Sequence, residues 1–307
     1  MKSSNIGGQA VIEGIMMRNQ DKYAVAVRKP NQEIEIDVQE FKSVMPFKGL
    51  SKVPFVRGMF AFVDSLVLGL KILSFSASFY EDEETEADQA KKTEKNEKRE
   101  SMIQAAFMVV GVILAIGIFF VLPFFISGFF RDQISSRMLL VTIEGLIRIG
   151  IFFAYILLIS RLKDIQRTFM YHGAEHKCIN CIEHGLPLTV ENVKGCSKEH
   201  KRCGTSFLFF VMVVSIVFSF FITVDSQVLR VVFRLALLPL IAGVSYEIIR
   251  LAGKTNNIII GILSKPGLWM QHLTTKEPED DMIEVAIEAV EAIFDWKAFQ
   301  AKEEDAA

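Results

Sequence analysis

Between Tyr171 and Gly185 the sequence reads YHGAEHKCINCIEHG, placing three histidines, two cysteines and two glutamates in fifteen residues. Within it, His172, Glu175 and His176 form the pattern H-x-x-E-H. On an α-helix the two histidines stand one turn apart and Glu175 projects beside them, all three within an arc of about 100°. Two imidazoles at i and i+4 suit one tetrahedral metal ion, zinc first of all, and leave room for a further ligand and water. A bound metal acidifies water and a neighbouring carboxylate can take the proton, so Glu175 is the candidate general base.

A second donor group follows in Cys196-Ser-Lys-Glu-His200-Lys-Arg-Cys203-Gly-Thr205. His200 and Cys203 stand three apart and can share a turn. With His172 and His176 they would make a closed, structural four-coordinate site; with water in place of one ligand, a catalytic one. A competing arrangement uses Cys178, Cys181, Cys196 and Cys203, whose first pair has zinc-knuckle spacing and whose second is too wide for a standard ribbon. The H-x-x-E-H pattern also occurs in inverzincin peptidases, where a distal carboxylate completes the site. Glu183 and Glu191 are available for that, but five residues do not define a peptidase, and Gly173 is a poor helix former. His184 and His272 stand alone and read as local hydrogen-bonding groups.

The elements that must position these residues are mostly apolar. Of the 307 residues, 51% are hydrophobic and 26 are Phe, so soluble-domain length rules do not apply. The net charge of -2 and the lack of a basic stripe exclude an electrostatic nucleic-acid binder. No secretory signal is expected in MKSSNIGGQA. Residues 10–18, 22–29 and 33–41 read as strands of an antiparallel meander with one wet face, Ile34, Ile36 and Val38 alternating with Glu33, Glu35 and Asp37. Gly7-Gly8 ahead of it implies a tight turn or a close backbone approach, without a phosphate-loop pattern. From Pro54 to Phe79, Arg57, Asp64 and Lys71 recur every seven residues on one helical stripe, which favours a helix lying on the membrane over one crossing it.

Four runs reach the ~20 residues a bilayer demands: Met102–Phe130, Met138–Ser160, Thr205–Val224 and Val228–Ala252. Pro123 and Pro239 should kink or end helices there. Basic residues crowd the segment between the second and third runs, whereas the outer turns at Arg131–Arg137 and Asp225–Gln227 hold few, so both termini and the central segment are expected in the cytoplasm. Arg230 and Arg234, near the outer end of the fourth run, go against that pattern. In that reducing compartment, four cysteines within 26 residues favour metal over disulfides. Glu144 and Arg148, four apart, form either a structural pair or part of a transport path. Glu247 and Arg250 can snorkel to headgroups. The tail from Asp281 to Phe299 reads as an amphipathic helix, with Ile283, Ile287, Val290, Ile293 and Phe294 on its packed face.

The expected fold is thus a mainly α membrane protein with about four transmembrane helices, a small N-terminal β meander and a cytoplasmic His/Cys-rich loop. Its segments are a cytoplasmic meander (1–53), an interfacial helix (54–79), a charged linker (80–101), a first transmembrane hairpin (102–160), a metal-site loop (161–204), a second hairpin (205–252) and a cytoplasmic tail (253–307).

The chain resembles the YqhQ family of bacterial membrane proteins. The resemblance is carried by GGQAVIEGIMMR (Gly7–Arg18), RGM (Arg57–Met59), YHGAEHK (Tyr171–Lys177), LTVENV (Leu188–Val193) and RCGTSF (Arg202–Phe207), and covers nearly the whole chain. It implies a multi-pass bacterial cell-membrane protein labelled a predicted metal-dependent enzyme, with no established substrate. His172, Glu175, His176, His200 and Cys203 match its motif positions; Cys178, Cys181 and Cys196 do not, which favours the histidine-rich site. Where the family more commonly has His-Pro-Arg-Cys-Gly, this chain has Lys201, keeping the ligand types but loosening the turn. Glu13 of the first motif could serve as a ligand, a partner to a histidine or an exposed strand residue; Arg18 and Arg57 could bind phosphate headgroups or pair with acids. The reading is a membrane-embedded, zinc-dependent hydrolase, with Glu175 as base and His172, His176, His200 and Cys203 as the metal set. The alternative is a non-enzymatic membrane scaffold or biogenesis factor whose metal clips the central loop. The bilayer, a membrane-protein partner or a second copy are the expected partners.

Overall fold

The computed structural model describes residues 3–45, 48–80, 94–224, 226–253 and 258–304; most of the charged linker, and Asp225 of the second outer turn, lie outside them. The chain forms two compact units. One joins Met1–Tyr80, Ile156–Val214 and Leu237–Ala307, the other Glu81–Tyr155 and Ser215–Ala236.

The first unit begins with the meander: β1 (Gly7–Val11), β2 (Gly14–Asn19), β3 (Lys22–Arg28) and β4 (Ile34–Glu40), antiparallel in sequence order. The expected strand at 10–18 is in fact a hairpin that reverses at Ile12-Glu13, so that Val11 faces Gly14. Glu13 takes a left-handed φ of 47°, which costs a non-glycine residue about 1–2 kcal/mol, and its carboxylate is held by the Arg167 guanidinium.

Twelve helices follow among the described residues: α1 (Val56–Ala77), α2 (Glu94–Ile116), α3 (Leu122–Gly128), α4 (Arg137–Ile159), α5 (Lys163–Glu183), α6 (Val190–Gly195), α7 (Gly204–Phe221), α8 (Gln227–Ala236), α9 (Leu238–Ala252), α10 (Ile258–Thr274), α11 (Asp280–Glu291) and α12 (Trp296–Glu304). Only β4 keeps the wet face expected of the whole meander. On one side, Ile15, Met17 and Ala26 pack into a core with Tyr171, Ala174 and Cys178 of α5 and Met282, Ile283 and Val290 of α11. On the other, Met16, Val25 and Val27 meet Leu68 and Ile72 of α1. A doubly covered sheet explains why β2 and β3 read as continuous apolar runs rather than alternating ones.

The polar stripe of α1 is satisfied by the protein itself. Asp64 is buried and accepts from Ser43 Oγ at 2.6 Å and the Val44 amide at 2.7 Å. Lys71 bonds Gln39, and Arg57 pairs with Glu247 of α9, its Nε 2.7 Å from Oε1. Glu247 therefore holds Arg57 instead of snorkelling to headgroups. Close packing makes this pairing possible, because a side chain at Gly58 would meet Tyr246 and Gly243 of α9.

Four helical segments are long and apolar enough to cross a membrane: Val56–Ala77, Val109–Gly128, Arg137–Ile159 and Gly204–Phe221. The last three coincide with expected runs. The fourth expected run, Val228–Ala252, is broken at Leu237 into α8 and α9, beside Pro239. Pro123 lies in the first turn of α3, after a π-helical stretch at Gly117–Val121 that absorbs the proline's missing donor. Helix α10 was not foreseen, and the tail helix ends at Glu291, with α12 as a separate short element.

Candidate metal centre

The segment expected as a loop is dominated by α5, and from Tyr171 to Glu183 every residue except His172 is buried. Tyr171, Ala174, Cys178, Cys181 and Ile182 form its apolar stripe against the sheet and α11. The adjoining stripe carries His172, His176, Asn180 and Glu183, one helical turn apart in succession.

Gly173 is what allows the site to close. A Cβ there would overlap the carbonyl oxygen of Lys276. The backbone of residues 274–276 lies directly on α5, with the Lys276 amide donating to Phe169 O at 2.9 Å. This approach brings Thr274 O to 2.9 Å from His172 Nδ1. His176 Nδ1 lies 2.6 Å from Lys198 O. A carbonyl only accepts, so each Nδ1 carries a proton and Nε2 is left as the metal-facing atom, the arrangement that orients metal-binding histidines.

The two rings converge on Cys203, just ahead of α7. Its Sγ is 3.2 Å from His172 Nε2 and accepts from the Thr205 amide at 3.4 Å. One ligand atom from each of His172, His176 and Cys203 lies within 4.8 Å of the others, a group able to hold a metal ion. Burial alone would raise the Cys203 thiol, but the imidazoles of His172 and His176 overcome it and hold the thiol well below its usual range. Burial likewise works against a charged His172, and Cys203 overcomes it, raising the imidazole to about 9. The thiolate is the form that binds metals.

The turn carrying Cys203 is fixed by residues that the motif search did not single out. Asn180 Nδ2 donates to Ser197 O and Glu199 O at 2.7 and 2.9 Å. Lys177 Nζ donates to Lys194 O and Cys196 O, both at 2.9 Å. The fully buried Gln271 of α10 accepts from His200 N and donates to His200 O, both at 2.8 Å. The signal for Gln271 was its place among the polar residues Gln271, Thr274 and Thr275 that close an apolar run.

His200 stands one ring farther out, its centroid 5.7 Å from His176 and its Nε2 3.8 Å from Glu183 Oε2. Burial lowers its pKa. Glu183 also accepts from Arg202 Nη2 at 2.5 Å and from the Ser4 amide and hydroxyl at 2.7 and 2.8 Å. Burial opposes its charge, but these partners prevail and bring the carboxyl down to about 2. Glu191, the other acid considered, lies in α6 and is exposed.

Glu175 is buried between α5 and β1, and a side chain at Gly8 would collide with its Cγ, 2.8 Å away. Here is the close approach that Gly7-Gly8 implied. Its charge acts on His172, and no donor hydrogen-bonds its carboxylate among the described residues. Glu13 is turned elsewhere, accepting from Arg167 Nη2 at 2.6 Å and Tyr171 Oη at 3.3 Å. Arg18 stacks over the Phe41 ring, 3.3 Å from its centroid. Cys178 and Cys181 lie in the apolar core, and Cys181 and Cys196 donate to backbone carbonyls. Burial pushes Cys178 well up and Cys181 up to about 12. The four cysteines thus divide into three protonated thiols and one acidified sulfur. His184 bonds Asn180 O and His272 faces Glu199.

Among the described residues the chain combines helices long and apolar enough to cross a membrane, a sheet-and-helix module and a two-histidine, one-cysteine group, and no solved structure matches it. The chain belongs to the family described as "Protein of unknown function (DUF1385)", matched over residues 53–296. It is also 37% identical over 287 residues to the "Uncharacterized protein YqhQ" of Bacillus subtilis (strain 168), covering 92% of this chain and 90% of that protein.

Proposed function

We propose that this protein is a zinc-dependent hydrolase anchored in the bacterial cell membrane, with its site at the cytoplasmic surface. The observation that carries the reading is the convergence of one ligand atom each from His172, His176 and Cys203, with both Nδ1 atoms within hydrogen-bond distance of backbone carbonyls. Two imidazoles and an acidified thiol are a donor set suited to zinc, and three protein ligands leave a position open.

Zinc held there supplies Lewis acidity at a scissile carbonyl or phosphoryl oxygen. His172 and His176 keep their orientation through Thr274 and Lys198. Glu175, free of hydrogen-bond donors among the described residues, takes the proton of the attacking water and delivers it to the leaving group. Burial of the cluster excludes bulk water and strengthens these interactions.

The membrane placement rests on counting crossings. The meander, α5, α6 and α11 share one core, so they lie on one side of the bilayer, and the chain must cross an even number of times between them. Between β4 and α5 stand three candidate spans, one too many. We take helix α1 as the one that does not cross, because Leu68 packs on the sheet and Lys71 bonds Gln39 of β4, while Asp64 holds the segment just after β4, and open sheet edges do not enter hydrocarbon. Between α6 and α11, α7 and the broken α8/α9 run supply the second pair. The basic central segment puts the shared side in the cytoplasm.

A structural metal clip is the second reading, favoured by the 1% and 3% exposure of His176 and Cys203. The test is elemental analysis of the detergent-purified full chain and of His172→Ala and Glu175→Gln, followed by a screen with chromogenic ester, peptide and phosphoester substrates. A hydrolase retains about one zinc per chain in the wild type and Glu175→Gln, loses it in His172→Ala, and loses turnover in both variants. Zinc without turnover on any substrate class supports the clip. No zinc in the wild type after reconstitution refutes both.

A further inference from the structure

Arg230 and Arg234, the residues at odds with the charge pattern of the loops, lie at a second site. Within the second unit, a cavity of about 270 Å³ is lined by α3, the turn after it, α4 and α8. Arg131, Arg137, Arg230 and Arg234 all line it, and Glu144 is the one acid lining it among the described residues.

That acid is already committed. Glu144 Oε1 accepts from Arg148 Nη2 at 2.9 Å and from Arg234 Nη1 at 2.6 Å, all three side chains being almost fully buried. Arg230 Nη2 donates to Val224 O at 2.9 Å, and Arg131, Arg137 and Arg234 line the same cavity. Neither Arg131 nor Arg137 has an acidic partner among the described residues. The buried Nε of Arg234 donates to nothing among them. Four guanidinium groups therefore surround one shared carboxylate, between helices apolar enough for lipid. Uncompensated charge is expensive in that setting and calls for an anion.

We infer that this cavity binds the phosphate of an anionic phospholipid. Guanidinium forks match phosphate oxygens in geometry and charge, and Phe124, Phe125 and Leu140 in the same wall supply an apolar surface for the attached acyl chains. The site lies in the other unit from the metal cluster and does not depend on the hydrolase reading.

The test is isothermal titration of the detergent-purified full chain with dioctanoyl phosphatidylglycerol, dioctanoyl phosphatidylcholine and inorganic phosphate. The wild type and the Arg131→Gln/Arg230→Gln double variant are compared at two salt concentrations. The expected result is saturable, salt-sensitive binding of the glycerol lipid, about tenfold tighter than the choline lipid and about tenfold weaker in the double variant. Inorganic phosphate that binds through the same arginines as tightly as the lipid keeps the phosphate site but assigns it a soluble occupant, overturning the lipid assignment. Equal affinity for the two lipids, no saturable binding by the wild type, or binding unchanged in a well-folded double variant overturns the inference. If the double variant is not monodisperse, Arg131→Gln alone, an exposed position, carries the comparison.

Discussion

Replacing Gly173 by Ala sets helix propensity against geometry. In an unconstrained helix interior the change stabilises by about 1 kcal/mol. Here the new methyl would lie inside the van der Waals radius of Lys276 O, with backbone on both sides and no side chain free to swing away. Relief requires the 274–276 segment to lift off α5. That movement breaks the Lys276 amide to Phe169 O bond and the His172 Nδ1 to Thr274 O bond, both 2.9 Å. Two hydrogen bonds at about 1 kcal/mol each, with about 1–3 kcal/mol of overpacking, exceed the propensity gain and leave a net loss of about 2–4 kcal/mol. His172 also loses the carbonyl that orients it, a change that typically weakens metal binding by about 10–100-fold. Equilibrium unfolding in detergent, followed by near-ultraviolet circular dichroism and paired with a competitive zinc titration, measures both effects. A Gly173→Ala protein as stable as the wild type with unchanged zinc affinity would refute the closure of the site by backbone contact.

Three further outcomes follow from the same contacts. Asp64→Ala leaves Ser43 Oγ and the Val44 amide without their acceptor and should cost about 1–3 kcal/mol, read by protease cleavage between β4 and α1 at lower denaturant concentration. Glu144→Gln strips the buried Arg148 and Arg234 of their only carboxylate among the described residues and should cost about 3–5 kcal/mol; thermal unfolding unchanged from wild type would contradict that pairing. Glu183 has a folded pKa of about 2 against an ordinary 4.5. Its contribution is full above pH 4.5 and is lost as pH falls towards 2, about 2 kcal/mol after allowance for solvent screening. Glu183→Gln should flatten the stability profile between those limits, and an unaltered acid limb would contradict the Ser4 and Arg202 contacts.

The parts of the fold governed by short-range pattern were legible in the sequence. Apolar length gave three of the spans, proline marked the breaks near Leu237 and Gly117, and β3 and β4 were found to within a residue or two. The Ile12-Glu13 reversal was missed because Glu13 carries no turn signature and takes its left-handed conformation with Arg167 as partner, 154 residues away. Periodicity placed Asp64 and Lys71 on a polar stripe but could not show that a sheet meets it. At the candidate metal cluster, the i, i+4 histidines and Cys203 were readable from residue type. His200's turn towards Glu183 depends on Ser4 and Arg202, which no local motif connects. Gly173 was misjudged as a weakness of the helix because the backbone that requires it comes from residue 276.

The shared core also has a temporal consequence for synthesis. Ile15, Tyr171 and Ile283 sit in one cluster, yet a ribosome must make every candidate span before α11 emerges. Until then β2 and β3 have only α5 as a partner on that face, and the surface that the sheet and α5 present to α11 is uncovered. The nascent chain therefore carries a half-covered apolar core until its last helices are made, the condition under which chains aggregate or recruit holdases. Stop codons placed before Asp280 should thus yield chains whose Cys178 and Cys181 react more readily with maleimide, whereas the finished protein protects both thiols within its core.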